Sequence, residues 1–159
     1  MSDFHLLLEE QLPKLMRYTT ALTRDADEAE QLIEDTVREA LAGQRQCPRD
    51  GQIRPWLLTI LHDLRDNPFR QANIAAGPSR SDPAGELTLS DLDRAMGRLI
   101  EEQRAIILLI GLEGMTYEQT AAILRIPVGT MRSRLARGRD GLRRVLGVTA
   151  TPIQESRAA

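Results

Sequence analysis

Residues 115–144, MTYEQTAAILRIPVGTMRSRLARGRDGLRR, dictate two short helices around a tight turn. Thr116 with Gln119 three residues on fits a capping box, so a helix is expected from Tyr117 to about Leu124. Arg125-Ile126-Pro127 must break it, because proline lacks an amide donor and restricts the residue before it. A second helix then starts near Val128. At about 100° per residue, Met131, Leu135, Leu142, Val145 and Leu146 fall on one stripe that requires a core. Ser133 points the other way, with Arg132, Ala136 and Arg137 beside it and Arg134 and Arg144 at the border. The outward face is one of small residues ringed by guanidinium groups.

Charge says what such a face is for. Between Arg125 and Arg144 the chain carries seven Arg and one Asp, a local net of +6, whereas the whole 159-residue chain is −2. A basic helix in an acidic protein calls for a local anionic partner, nucleic acid first. A helix enters the major groove only if its leading face is not bulky; Arg can then read guanine O6 and N7, and Ser can bond a base edge or a phosphate. The competing reading is a solvated arginine-rich surface. It would need acids one turn away, and Asp140 is the only acid on this helix.

These residues resemble the −35-reading domain of extracytoplasmic-function (ECF, group 4) sigma factors of the sigma-70 family. The resemblance rests on Glu102-Gln103-Arg104, the apolar run Ala105 to Ile110, Gly114-Met115-Thr116-Tyr117-Glu118-Gln119, and Ile126-Pro127-Val128-Gly129-Thr130-Met131-Arg132-Ser133-Arg134-Leu135. It implies a −35 DNA-binding set of Thr130, Arg132, Ser133, Arg134, Ala136 and Arg137. Three positions depart from the family pattern. Ile100 stands for the usual Pro, and Gly138 stands for Ala at an expected loss of about 1 kcal/mol of helix stability. Arg125 stands for a turn Gly, where a positive φ is free only for glycine.

The N-terminal half continues the resemblance. Leu12-Pro13 is expected to open a helix carrying Leu15, Met16, Thr19 and Leu22. Asp25 with Glu28 reads as the cap of a second helix, whose apolar face is Leu32, Ile33, Thr36, Val37, Ala40 and Leu41. In the family this helix docks on the β′ clamp helices of RNA polymerase. By position, Glu30, Leu32, Asp35 and Arg38 become candidate core-polymerase contacts. Gln31 and Glu34 replace the usual Asp and Gln. The acids from Asp25 to Asp35 spread around the helix with no oxygen-rich loop after them, which argues against a metal site.

A third helix, Ile53 to Arg65, resembles the family element that captures the −10 strand, with Trp56, Leu57, Ile60 and Leu61 as its core face. Trp56 is thus expected to pack rather than to stack on a base. The weak −10 set is His62, Asp63 and Arg70. Asp63 occupies the family's Asn position, Asn67-Pro68 replaces an acidic pair, and only Arg70 survives of the basic run. An added acid and a missing basic patch disfavour a DNA strand. His62 and His5 lack partners at ligand spacing, and His62 is expected at the surface or as a helix cap.

The fold class expected is all-α: two small helical domains, 1–72 and 88–147, joined by a flexible linker over 73–87, the second a helix-turn-helix, with a disordered tail from 148. Aromatics are only 3% of the chain, so the core must be built from Leu, Ile, Ala and Val, which suits helix packing. Asn73 to Glu86 (NIAAGPSRSDPAGE) has a linker's composition, and the two domains are expected to move relative to each other. The lone Cys47 cannot form an internal disulfide and fits a reducing cytoplasm. No secretory leader pattern, spanning apolar run or catalytic constellation appears, so a cytoplasmic binding protein needing no metal or cofactor is expected. The resemblance implies core RNA polymerase (β′ clamp helices and β flap), promoter DNA and an anti-sigma factor as partners. Two alternatives stay open: a mimic that sequesters an anti-sigma factor, and a stand-alone helix-turn-helix regulator.

Overall fold

A computed structural model of the chain describes residues 3–49, 51–67 and 89–147. Among them are seven α-helices and no strand: α1 Asp3–Thr23, α2 Ala26–Ala42, α3 Ile53–Arg65, α4 Leu89–Arg98, α5 Glu101–Gly111, α6 Tyr117–Leu124 and α7 Val128–Leu146. The expected linker and tail lie outside the described residues. No described helix is long and apolar enough to cross a membrane.

Helix α1 begins ten residues before Pro13, which corrects the expectation that Leu12-Pro13 opens it. Its buried face, Leu8, Gln11, Leu15, Tyr18, Thr19 and Leu22, keeps helical spacing straight past the proline. Pro13 and Glu9, whose carbonyl loses its amide partner, are both exposed, so water can serve the orphan acceptor. Met16 is on the exposed side, and Tyr18 takes the core position. Helix α2 follows its sequence: Asp25 caps it by accepting from the Glu28 amide at 2.9 Å, and Ala29, Leu32, Ile33, Thr36 and Ala40 are buried. In α3 the buried residues are Ile53, Leu57, Leu58, Leu61 and His62. Trp56 is half-buried and meets Phe4 edge-on with ring centroids 6.2 Å apart.

The first three helices and the last four are packed together. One apolar cluster runs from Leu22, Leu57 and Leu61 to Met96, Leu99, Ala105, Leu108 and Leu109. A second, Ile106, Ala121, Met131 and Leu135, lies wholly within the C-terminal unit. Helix α1 packs on α5, and α3 on α6.

Charge crosses the same boundary at five places. Arg104 is buried and donates to three carbonyls: Met96 at 2.9 Å, Leu99 at 2.8 Å and Leu22, at the end of α1, at 2.8 Å. Burial, then nearby Arg24, pull its pKa below the usual arginine value. Arg24, left-handed at φ 60°, pairs with Asp93 at 2.9 Å. Its guanidinium fills the space beside Gly97, where a Cβ would come within 2.9 Å of Nε. Arg65 joins Glu28 on α2 to Glu101 on α5, with 2.6 Å from Nη2 to Glu101 Oε2. Arg54 on α3 pairs with the fully buried carboxylate of Glu113. Arg125 forks onto Asp63, Nε to Oδ1 at 2.7 Å and Nη2 to Oδ2 at 2.8 Å.

Candidate nucleic-acid interface

The helix-turn-helix forms as its sequence dictates. Thr116 Oγ1 accepts from the Gln119 amide at 3.1 Å, and Gln119 Oε1 accepts from the Thr116 amide at 3.0 Å. Helix α6 ends at Leu124, and Arg125 is left-handed with φ 54° and ψ 42°. That is the conformation a family glycine would take at no cost. Pro127 then opens α7.

Met131, Leu135 and Gly138 hold the inner face of α7 in the core. Leu142 is half-buried, and Val145 is exposed, which corrects the expectation that the apolar stripe continues to the helix end. Gly138 allows a close helix approach: an added Cβ would lie 2.9 Å from Ile107 Cδ1 and 3.3 Å from Gln103 Cβ. The Ala-to-Gly departure thus makes room for Ile107 on α5.

Of the six expected −35 residues, Arg132, Ser133, Ala136 and Arg137 are exposed together on the outer face. Thr130 is half-buried in the first turn. Arg134 turns aside, with Nη1 3.4 Å from Glu102 on α5. Arg132 stacks over Tyr117 at 5.6 Å, which pre-orders its guanidinium without neutralising it. The free face is small residues between two arginines, a shape able to lie in a major groove.

The expected −10 set does not come together. Arg70 lies outside the described residues. His62 is buried rather than at the surface or capping the helix, which corrects that expectation and removes it as a DNA contact in this conformation. Its Nε2 hydrogen-bonds the Tyr18 hydroxyl at 2.7 Å. Burial lowers the His62 pKa to about 4, against the opposing pull of Glu101 and Asp63. Asp63 is on the surface but engaged by Arg125. Beside it, His62, Asp66, Glu101, Glu102, Leu124 and Arg134 line a cleft of about 470 Å³ between α3 and α5–α7. Burial first, then Glu101 and Asp63, raise the Asp66 pKa. Within this cleft Glu101 is paired with Arg65 and Glu102 with Arg134, and Asp66 adds a third acid.

On α2, Glu30 and Arg38 are exposed, and Arg38 bonds Asp35 at 2.7 Å. Leu32 is fully buried, which corrects its place among the polymerase contacts: its side chain belongs to the core. Ile100 has φ −64°, the angle proline would impose, so the departure there leaves the backbone unchanged. The functional grouping that sequence reasoning missed is the charged seam between the units. Its one visible sign was Arg104 in the Gln-Arg pair; Arg104 reaches Leu22 across 82 residues, and the other partners lie 36 to 69 residues apart.

The structure thus presents a helix-turn-helix with an exposed arginine face, packed on a second helical unit. A family model described as Sigma-70, region 4 matches residues 89–141, and one described as Sigma2 domain of PhyR matches residues 8–62. The chain is 30% identical over 147 residues to the ECF RNA polymerase sigma factor EcfG of Rhodopseudomonas palustris, covering 86% of this chain and 81% of that protein. It is also 30% identical to the ECF RNA polymerase sigma factor SigM of Mycobacterium tuberculosis, covering 90% and 75%. Among solved structures it is similar to the sigma factor RpoE in complex with the anti-sigma factor NepR from Bartonella quintana. That match has a TM-score of 0.79, 32% identity, and coverage of 94% of this chain and 100% of the other. The chain belongs to the ECF RNA polymerase sigma factor family.

Proposed function

We propose that this chain binds core RNA polymerase and directs promoter-specific transcription initiation, with α7 in the major groove of the −35 element. The observation that carries the reading is the outward face of Arg132, Ser133, Ala136 and Arg137, held by the buried Met131 and Leu135. Glu30, Asp35 and Arg38 on α2 supply the polymerase contact. The site is one of recognition: no bond is made or broken at it, and it acts in the cytoplasm, where polymerase and promoter are. Control by an anti-sigma factor is supported by the RpoE relative, which was solved with one.

Transcription with core polymerase on genomic fragments of the host tests this. Specific transcripts sharing an upstream element are expected. Arg132→Ala or Arg137→Ala should abolish most of them while leaving co-elution with core unchanged, since a bidentate base contact is worth about 1–3 kcal/mol. No binding to core by the parent protein would sink the reading and leave a stand-alone DNA-binding regulator.

A second reading has a specific observation behind it. The N-terminal unit matches the Sigma2 domain of PhyR, and PhyR of Bartonella quintana is an anti-anti-sigma factor solved with NepR. Asp63 at the −10 position suits such a mimic, which sequesters an anti-sigma factor. The free arginine face on α7 is unexplained by it. Core binding without transcripts from any fragment would favour the mimic.

A further inference from the structure

Two residues that depart from the family pattern, Asp63 in the −10 helix and Arg125 in the helix-turn-helix turn, meet in one bidentate ion pair across the two units. We propose that this pair is an internal latch that completes the seam closing the two DNA-reading units on each other, and that it must open before both promoter elements can be engaged. The proposal rests on the sigma-factor reading for its consequence, though not for the existence of the closed state.

Geometry sets the conflict. Elements at −10 and −35 lie ~25 base pairs apart, or ~85 Å of duplex at ~3.4 Å per base pair. A compact body of this chain length is only about 40 Å across. With Asp63 and Arg125 in contact, α3 and α7 cannot reach both elements. The latch also engages the −10 set itself, since Asp63 stands at the family's Asn position in α3.

The form of the pair suits a releasable device. Arg and carboxylate meet fork to fork, which fixes their orientation. Both side chains are still well exposed, at 68% and 44%, so salt and competing charge reach them. Arg125 takes a left-handed φ of 54° that any residue but glycine adopts at a cost, and the guanidinium it places on Asp63 is its only ion pair among the described residues. The surrounding seam, Arg24–Asp93, Arg54–Glu113 and Arg65–Glu101, provides the closed arrangement that the latch completes.

Opening can be read by thiol labelling of the full chain without polymerase or DNA. In a Cys47→Ser background, Ala105→Cys places a thiol in the inter-unit core, and Ala121→Cys places one in the core of the C-terminal unit alone. Asp63→Asn and Arg125→Gly each remove the pair, and glycine keeps the left-handed turn. Each should raise labelling at residue 105 about 1.4- to five-fold, the range for one exposed pair, with labelling at residue 121 unchanged. The charge-swapped Asp63→Arg/Arg125→Asp chain should return toward the parent rate. Added salt should accelerate the parent more than either single variant. Equal rates at residue 105 in parent and variants, or a parallel rise at residue 121, would overturn the latch. In a second arm, Asp63→Asn should increase promoter complexes formed with core polymerase. Faster labelling with no increase in complexes would overturn the latch as a control on promoter engagement. Faster labelling with no core binding by parent or variant would instead overturn the sigma-factor reading and leave the closed state standing.

Discussion

Arg54→Ala offers the sharpest perturbation of the seam between the two units. The Glu113 side chain is fully buried, Arg54 is 22% exposed, and their ion pair crosses from α3 to the loop after α5. Glu113 Oε1 has no hydrogen-bond partner among the described residues, so Arg54 is the main compensation for that charge. Removing one partner of a buried pair costs about 3–5 kcal/mol, because an uncompensated carboxylate stays behind. Arg54 and Glu113 belong to different units, so the loss is expected to fall on the closed state, in which the two are in contact. At about 1.4 kcal/mol per decade, the opening equilibrium should rise by roughly two to nearly four decades. Thiol labelling at Ala105→Cys in the Cys47→Ser background reads this ratio, with Ala121→Cys reporting global loss of the C-terminal fold. The double variant Arg54→Leu/Glu113→Leu should recover most of the protection, because apolar replacement of a buried pair is near neutral. A rise of less than three-fold in Arg54→Ala, or a leucine pair no better protected than the single variant, would refute the reasoning.

Three further outcomes are expected. Gly138→Ala gains about 1 kcal/mol of helix propensity but presses Cβ onto Ile107 Cδ1 at 2.9 Å, so urea melts should show little gain or a loss. Compared in an Ile107→Val background, the same substitution should stabilise by about 1 kcal/mol. His62 is held neutral by burial, with its pKa lowered from 6.5 to about 4. The unfolded chain therefore binds the extra proton first, and stability should fall as pH drops from about 6.5 to 4, by up to about 3 kcal/mol; melts of His62→Gln over that window should be flatter. Arg104→Lys should fail to replace arginine, because one ammonium cannot fork to the Met96, Leu99 and Leu22 carbonyls. A loss of at least about 2 kcal/mol is expected in its urea melt.

Local rules carried the C-terminal unit almost unaided. Thr116, Gln119, Pro127 and the spacing of Met131 and Leu135 are short-range signals, and they place the outward arginines without knowledge of any other helix. The Asp25 cap of α2 is legible for the same reason. Tertiary context decided the rest. Pro13 looks like a helix start when judged by its own ring, yet the apolar stripe on both sides of it keeps α1 continuous. His62 has no polar partner nearby in sequence; its partner, Tyr18, is 44 residues away. Asp63 and Arg125 each look like damage to a separate motif, and become one feature only when α3 and α6 are packed together. Gly138 reads as a weak spot in a helix until Ile107 is seen to occupy the space.

Gly97 gives the seam a property that its charges alone do not suggest. The guanidinium of Arg24 lies where a methyl group on that residue would be, 2.9–3.0 Å from the would-be Cβ, and from there it reaches Asp93. An electrostatic contact between the units is therefore gated by volume. Replacing Gly97 with alanine changes no charge and no hydrogen-bonding group, yet it must push Arg24 off its seat. Size and charge at this boundary are coupled variables, so a neutral, one-carbon change can alter how strongly salt acts on the whole molecule.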